Sequence, residues 1–306
     1  MSRTAANDTV SDEQLVAWIG DLAITWAERS ERGTLNFVDV DCVRRAAAAV
    51  RDGITVSCAR TISPKDSTPG NPIAHFMLSS GDDAPVGAMG STTDVLTVAW
   101  HGRSVTHLDA LSHIAWDRRL YGGASVSAVT ARRGATVGSV EAAADGIVGR
   151  GVLCDLAGYC HERGERLPPV VPLELVEATL AAQGCDLRGG DIVLVRFGRP
   201  TDASRASETD APGLHPEVLP WIHENRLGAL GTDEVADPLP GRAGPMPMPI
   251  HAVGIVAMGL WIMDNLVLER VAELCRDRRE WTFLFSVAPL RIRNGTGSPI
   301  NPVAVL

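Results

Sequence analysis

The chain has 306 residues and a formal net charge of −9 at pH 7, and its lysine and arginine residues form no block. This charge argues against nucleic acid as the main partner. No stretch approaches the ~20 apolar residues that span a bilayer, and the first residues lack the apolar core of a secretory signal. We therefore expect a cytoplasmic protein with no membrane partner. The length is enough to bury a substantial core.

The cysteines are scattered and form no C-x-x-C pair. In a cytoplasmic protein this spacing predicts free thiols and no structural disulfide. A nucleophilic cysteine is possible, but no motif supports one. The six are Cys42, Cys58, Cys154, Cys160, Cys185 and Cys275.

The N-terminal part alternates helix and strand signals. Ser11-Asp-Glu-Gln14 is typical of a capping box, and it opens a helix with Trp18 and Trp26 at helical spacing. An alanine-rich helix is predicted over residues 41–51, ending at Gly53. Strands are predicted over residues 54–60, 72–78 and 94–100.

The rest of the chain continues the alternation, without internal repeats or a linker long enough to divide it. We therefore predict one domain over residues 1–306, in which residues 1–30 form a helical extension. The fold class is α/β or α+β, with a mixed β-sheet and flanking helices. Further strands are predicted over 151–156, 191–197, 227–231, 259–263 and 281–289, and helices over 173–183, 216–225 and 266–276.

A cluster of metal-ligand side chains follows the strand predicted over 94–100. His107, Asp109 and His113 form a His-x-Asp-x-x-x-His pattern, and two imidazoles with a carboxylate suit zinc or manganese. A turn leading into a helix could point all three side chains at one spot. A metal held there would activate water and polarise a carbonyl. The same spacing also occurs in N-caps, buried hydrogen-bonded histidines and solvated loops.

Two further residues carry little information from their surroundings alone. His251 directly follows an irregular proline-rich segment over residues 237–250, which we expect to be a loop near the site. Asp264 ends an apolar run. Each is, by itself, typical of a cap or a packed polar residue. Trp116 and Tyr121 could form an apolar wall for a planar substrate.

Several segments resemble the metal-dependent cyclase hydrolases, a family that includes bacterial kynurenine formamidase, isatin hydrolase and trans-dienelactone hydrolase. The resemblance runs from about residue 30 to the C-terminus, with the motifs in family order. The matching segments are Gly33–Asn36, Thr106–His113, Leu120–Gly123, Gly231–Asp233, Pro249–His251, Asp264–Leu266 and Gly297–Pro302.

The resemblance implies a swivelling β/β/α fold, a bound zinc or manganese ion, and hydrolysis of an amide or ester bond that is often in a ring. It implies that His107 and Asp109 are metal ligands, and that His113 is a ligand of a second metal or a base. His251 and Asp264 match the downstream histidine and glutamate of the family. A homodimer or homotetramer is the expected assembly, with a small-molecule substrate.

Two departures from the family pattern favour one metal ion per chain. Arg103 stands where the motif has its first histidine, and a guanidinium cannot ligate a cation. His101 would have to shift by a residue pair to replace it, so we do not expect it to contribute. Asp264 is one methylene shorter than the family glutamate. Arg103 could clamp a substrate carboxylate or form a salt bridge with Asp94 or another acid.

The sequence thus favours a metal-dependent hydrolase of an amide, imide or lactone. His113 is the first candidate for the base. Asp117 is the second, because it lies four residues on and would share a face with His113 if the segment were helical. Two alternatives stay open: a metal-dependent cyclase or dehydratase of natural-product assembly, and a ligand-binding relative without turnover.

Overall fold

The computed structural model describes residues 10–23, 30–81, 89–198 and 210–306. None of the helices in these ranges has the length and apolar character needed to cross a bilayer. The helices are Asp12–Asp21 (α1), Val40–Ala48 (α2), Leu156–Glu162 (α3), Leu173–Ala182 (α4), Val218–Glu224 (α5), Pro249–Val253 (α6), which continues as a π-helix over Gly254–Met258, and Glu269–Arg278 (α7).

Most strands in the described ranges are short. They are Thr55–Ser57 (β1), Ile73–Ser79 (β2), Thr93–Val98 (β3), His107–Asp109 (β4), Val129–Thr130 (β5), Gly134–Ala135 (β6), Ile147–Cys154 (β7), Val170–Val171 (β8), Ile192–Val195 (β9), Gly213–Leu214 (β10), Ala229–Thr232 (β11), Trp261–Asp264 (β12), Thr282–Val287 (β13), Gly297–Pro299 (β14) and Val303–Val305 (β15).

A mixed sheet organises the described part of the chain, with the strand order β1-β15-β13-β7-β9-β11-β12-β4-β14. Its centre, from β7 through β9 and β11 to β12, is parallel, and the strands on both sides join it antiparallel. The predicted mixed sheet with flanking helices is confirmed.

The centre of the sheet is covered on both faces. All residues of β9, β11 and β12 are buried, as expected for parallel strands flanked by helices. Helix α2 packs against β7 and β13, and α4 packs against β7. The apolar runs that predicted strands at 191–197, 227–231 and 259–263 therefore lie at the core.

The N-terminal helix begins as the capping box predicts. Ser11 Oγ accepts a hydrogen bond from Gln14 N, and Leu15 is fully buried. Helix α1 packs against α6 and the π-helix, and Asp12 pairs with Arg242 just before α6, with 2.5 Å between the two charged groups. Trp26, which we also assigned to this helix, lies outside the described residues.

The hairpin β2–β3 and the start of α7 depart from the predictions. Within the described residues, the strands predicted over 72–78 and 94–100 form a separate two-stranded hairpin, β2–β3, which leaves Phe76 and Leu96 half exposed. The helix predicted from Leu266 begins at Glu269, because the backbone of Leu266 and Val267 is held extended. Their N–H groups donate to Thr232 O and Cys58 O.

A buried ion cluster ties the helices to the sheet, and its loss should be measurable. Asp155 is 1% exposed, caps α3 through Gly158 N, and accepts from Arg196 and Arg276 at 2.7 Å each. We expect Asp155→Ala to lower the free energy of unfolding by about 3–5 kcal/mol, because two arginines lose their shared anion. Urea denaturation tests this, with exposed Asp94→Ala as the control. A change below about 1 kcal/mol would contradict it.

Candidate metal centre

The pairing of β4 with β12 brings three candidate ligands together. His107 and Asp109 are two residues apart, so their side chains leave the same face of the strand. Asp264 on β12 lies directly opposite His107 in the antiparallel register, where side chains of facing residues are neighbours. Ligand atoms of these three buried side chains lie within 4.8 Å of one another. We call them the buried group.

A second group shares Asp109 with the first. His101, Asp109 and His113 also place ligand atoms within 4.8 Å of one another. His101 Nδ1 is 2.9 Å from Asp109 Oδ1, and its ring stacks on His113 with a centroid separation of 3.8 Å. We call these residues the outer group, because the His101 and His113 side chains are each 26% exposed.

The structure thus brings His101 to Asp109, although we did not expect it to contribute. That expectation assumed that the strand runs straight into the motif, whereas β3 ends at Val98 and a loop precedes β4. Gly102 has a φ of 124°, a backbone conformation that residues other than glycine rarely adopt. Asn265 Nδ2 holds the bend by donating to Gly102 O. The loop thus turns His101 back onto Asp109 without any shift of strand register.

The expectation of a turn leading into a helix is wrong. The first two ligands lie on β4, and His113 follows in a tight turn that its N–H closes by donating to Ala110 O. Asp117 is exposed, with a φ of 43°, in a second turn where Trp116 and Arg119 pair. Because the segment is not helical, the reason for choosing Asp117 as a base no longer holds.

His251 approaches the buried group from α6. Its Nε2 lies 3.2 Å from Asp264 Oδ2 and 3.5 Å from Asp109 Oδ2. Its Nδ1 faces the buried carboxylate of Asp237. The predicted position of the proline-rich segment near the site is thus confirmed, since Asp237 begins that segment and His251 follows it.

The donor set fits a divalent cation. Asp264 Oδ1 is buried and has no hydrogen-bond partner within the described ranges, which is costly for a carboxylate unless a cation binds there. His107 Nδ1 donates to Val105 O at 2.9 Å, so the lone pair of Nε2 faces the site. Imidazole nitrogens and carboxylate oxygens suit zinc and manganese alike.

The electrostatics of Asp109 favour the ionised form that a ligand needs. Burial alone would raise its pKa, but the histidines His113, His107 and His251, together with the hydrogen bond from His101, hold the pKa of Asp109 below its ordinary value. Burial lowers the pKa of His113 to about 4, although Asp109 opposes this shift. At neutral pH His113 is thus uncharged, and its lone pair can bind a cation or accept a proton.

Arg103 forms an ion pair with a buried acid. Its Nη2 is 3.1 Å from Glu234 Oε2, and Glu234 is fully buried. Of the two uses foreseen for Arg103, the salt bridge is thus observed, with an acid other than Asp94, which instead pairs with His75. Clamping of a substrate carboxylate by Arg103 stays a prediction.

The aromatic candidates lie on the turns that follow the outer group. Trp116 is half buried at the turn with Arg119, and Tyr121 is half buried at the start of a short 3-10 helix. The Tyr121 ring lies on Gly259, where a Cβ atom would be 2.6 Å from Tyr121 Cε2. Tyr121 therefore packs on the end of the π-helix, and its contact with a substrate stays a prediction.

Comparisons with known proteins agree with this architecture. A solved structure described as a novel cyclase is 27% identical, has a TM-score of 0.82, and is matched over 90% of this chain and 94% of that chain. Isatin hydrolase A from Labrenzia aggregata bound to benzyl benzoate is 22% identical with a TM-score of 0.61, over 85% and 94% of the two chains. A "predicted metal-dependent hydrolase" from Bacillus stearothermophilus is 14% identical with a TM-score of 0.51, over 82% and 97%.

The latter two similarities concern the fold. No curated protein sequence matches the chain. The model of a family described as Putative cyclase matches residues 21–236, which is more than two thirds of the chain. That range contains both His101 and the ligands of β4. The chain therefore belongs to the putative cyclase family, and its sheet carries the candidate metal ligands at β4 and β12.

Proposed function

We propose that the protein is a metal-dependent hydrolase that uses water to cleave an amide, imide or lactone bond. The observation that carries this proposal is the pair of ligand groups that share Asp109 beside the unpartnered oxygen of Asp264. A divalent ion bound there would lower the pKa of water and polarise a carbonyl group. The family match and the isatin hydrolase fold support a hydrolytic reaction.

The buried group is the better candidate for a permanently held ion. Its three ligands are buried, and His107 is oriented by Val105 O. The outer group is partly exposed, so an ion there would exchange more easily with solvent. The expectation of one ion per chain rested on Arg103 removing a subsite. Because His101 stands in the outer group instead, the described residues offer a second subsite beside the first.

His113 is the group best placed to accept a proton from water. It is neutral at pH 7, lies 3.8 Å from Asp109, and is partly open to solvent. A neutral imidazole beside a water that such an ion would bind could accept the proton of that water. If the outer group holds an ion, His113 becomes its ligand, and a second group must take the proton.

The substrate is proposed to be a small cyclic amide, imide or lactone. The support is the fold shared with isatin hydrolase A and the half-buried aromatic side chains Trp116 and Tyr121 beyond the outer group. Arg103 would recognise a carboxylate on the substrate only if it released Glu234. A homodimer or homotetramer, which the family resemblance implies, and a cytoplasmic location complete the proposal.

Solvent labelled with oxygen-18 tests the reaction class. The zinc- or manganese-loaded protein is incubated with a panel of isatins, cyclic imides and lactones, and the products are analysed by mass spectrometry. Hydrolysis predicts one solvent oxygen in the product. Turnover without label would indicate the cyclase or dehydratase alternative, and tight binding without turnover the non-catalytic one. Asp109→Asn protein on the same panel is the control.

Cysteine chemistry should make no contribution. Burial raises the pKa of each of the six thiols, to about 12 for Cys58 and Cys275 and to about 11 for Cys185. Since the thiolate is the nucleophile, we expect iodoacetamide at pH 7.5 to leave activity unchanged. Activity assays beside intact-protein mass spectra check this. Loss of activity in step with alkylation of one cysteine would contradict a metal-centred reaction.

A further inference from the structure

Asp237 contacts the imidazole of His251 at the ring nitrogen opposite the one that faces Asp264. It is fully buried after β11, and its carboxylate accepts three hydrogen bonds. Ile250 N donates to Oδ1 at 2.8 Å, and His251 N and His251 Nδ1 donate to Oδ2 at 3.0 and 2.6 Å. In the sequence, Asp237 is the first residue of the proline-rich segment.

Through these three hydrogen bonds, one carboxylate holds both the ring of His251 and the backbone at the start of α6. The N–H groups of Ile250 and His251 belong to the first turn of α6, which otherwise has no side-chain cap, and such groups need an acceptor when buried. The same carboxylate that satisfies them also holds Nδ1. The ring of His251 thus has neither free rotation nor a choice of which nitrogen faces inward.

The bond at Nδ1 also determines the position of Nε2. With Nδ1–H donated to Asp237, Nε2 is the atom that faces Asp264 Oδ2 at 3.2 Å and Asp109 Oδ2 at 3.5 Å. A ring flipped about its Cβ–Cγ bond would turn a carbon towards these oxygens. Histidines that bind metals commonly donate their second N–H to a carboxylate, and loss of that carboxylate weakens metal binding by about 10–100-fold.

We infer that Asp237 is a positioning residue that fixes the tautomer and orientation of His251 and so directs Nε2 at the cation-binding carboxylates Asp109 and Asp264. This inference rests on the proposed cation site. In this arrangement, Asp237 and His251 complete the buried group. Both residues are at least thirteen positions along the chain from the ligands on β4 and β12. A purely structural role, in which Asp237 only caps α6, is the alternative that the experiment must separate.

A double-mutant cycle separates the two roles. The affinities for Zn²⁺ and Mn²⁺ are measured by chelator competition in wild type, Asp237→Asn, His251→Ala and the double variant. We expect Asp237→Asn to weaken binding by about 10–100-fold, and to weaken it no further when His251 is already alanine. A cap that acts independently of the ring would weaken binding equally in both backgrounds, and this result would overturn the inference.

A matched control removes stability without touching the site. Asp191 is also a buried carboxylate, and it accepts from Arg150 and Arg188 N. Asp191→Asn should lower the midpoint of urea unfolding yet leave both cation affinities within about twofold of wild type, since no ligand lies among its partners. Equal weakening in this control would show that lost stability, not the position of His251, explains the effect.

A measurement on the unmodified protein covers the case in which Asp237→Asn does not fold. Imidazole ¹⁵N spectra of the Zn²⁺-loaded wild type should show the His251 proton on Nδ1 and a shifted, unprotonated Nε2. A proton on Nε2 would overturn the inference while leaving the cation site intact. Wild-type protein that binds neither ion would contradict the proposed function itself and remove the basis of the inference.

Discussion

Replacement of Asp109 by asparagine is expected to remove zinc or manganese from the protein and to lower hydrolytic activity at least about a thousandfold, or roughly 4 kcal/mol in the barrier. Asp109 belongs to both ligand groups, and no other residue is shared by them. An amide has one neutral acceptor oxygen where the carboxylate shares a negative charge over two, so the outer group loses its only carboxylate and the buried group keeps that of Asp264 alone. Metal analysis and kcat/KM on the substrate found in the labelling panel provide the measurement.

Asp94→Asn is the control for this substitution. Asp94 is exposed on β3, and its carboxylate pairs with His75 on the neighbouring strand. This variant should bind metal and turn over substrate like wild type. Full metal content in Asp109→Asn would show that the ligands lie elsewhere. Activity in metal-free Asp109→Asn would show that the reaction does not need the ion.

His107→Ala and His101→Ala should differ, although both histidines face Asp109. His107 belongs to the buried group and is oriented by Val105 O, so its loss should remove the held ion and lower activity by about a thousandfold. His101 belongs to the outer, partly exposed group. Its loss should leave the buried ion in place and lower activity by only about 10–100-fold, the range typical of residues that support a metal site.

Elemental mass spectrometry and activity assays on the two variants measure this difference. Circular dichroism shows whether each variant keeps the fold. Retained activity in metal-free His107→Ala would contradict the assignment of the buried group. If His101→Ala were the variant that loses the ion, the order of the two subsites would be reversed.

The sequence was a good guide to the central sheet and a poor one to β4. Strands such as β9 and β11 are continuous apolar runs, which buried parallel strands require. In contrast, β4 has three residues, two of them ionisable, so no periodicity shows that it is a strand. Its pairing with β12 brings together positions that are 157 residues apart at His107 and Asp264, a relation that only the folded chain reveals.

The candidate site, like the sheet, could be predicted from the sequence only in part. His107 and Asp109 were found from their spacing, whereas His251 and Asp264 stood out only through the family resemblance, and the structure places all four together. The sequence argues against His101, because the position of this residue depends on the backbone of Gly102. Asp237 carried no signal, since its function depends on a hydrogen bond to a side chain fourteen residues away.

The departure at Arg103 acquires a physical explanation. A guanidinium at this position turns to Glu234, which follows β11 and is fully buried, and a buried carboxylate without a cation would be costly. His101, two residues earlier, occupies the space beside Asp109. The loss of the family histidine and the presence of His101 are therefore compatible with an intact donor set.

The metal content of the purified protein shows whether this chain binds a cation through Asp109. Wild type and Asp109→Asn are saturated with Zn²⁺ or Mn²⁺, freed of excess ion, and analysed by elemental mass spectrometry against protein concentration. We expect at least one ion per wild-type chain and close to none in Asp109→Asn. Wild-type protein without bound metal after saturation, or equal metal content in the variant, would contradict this expectation.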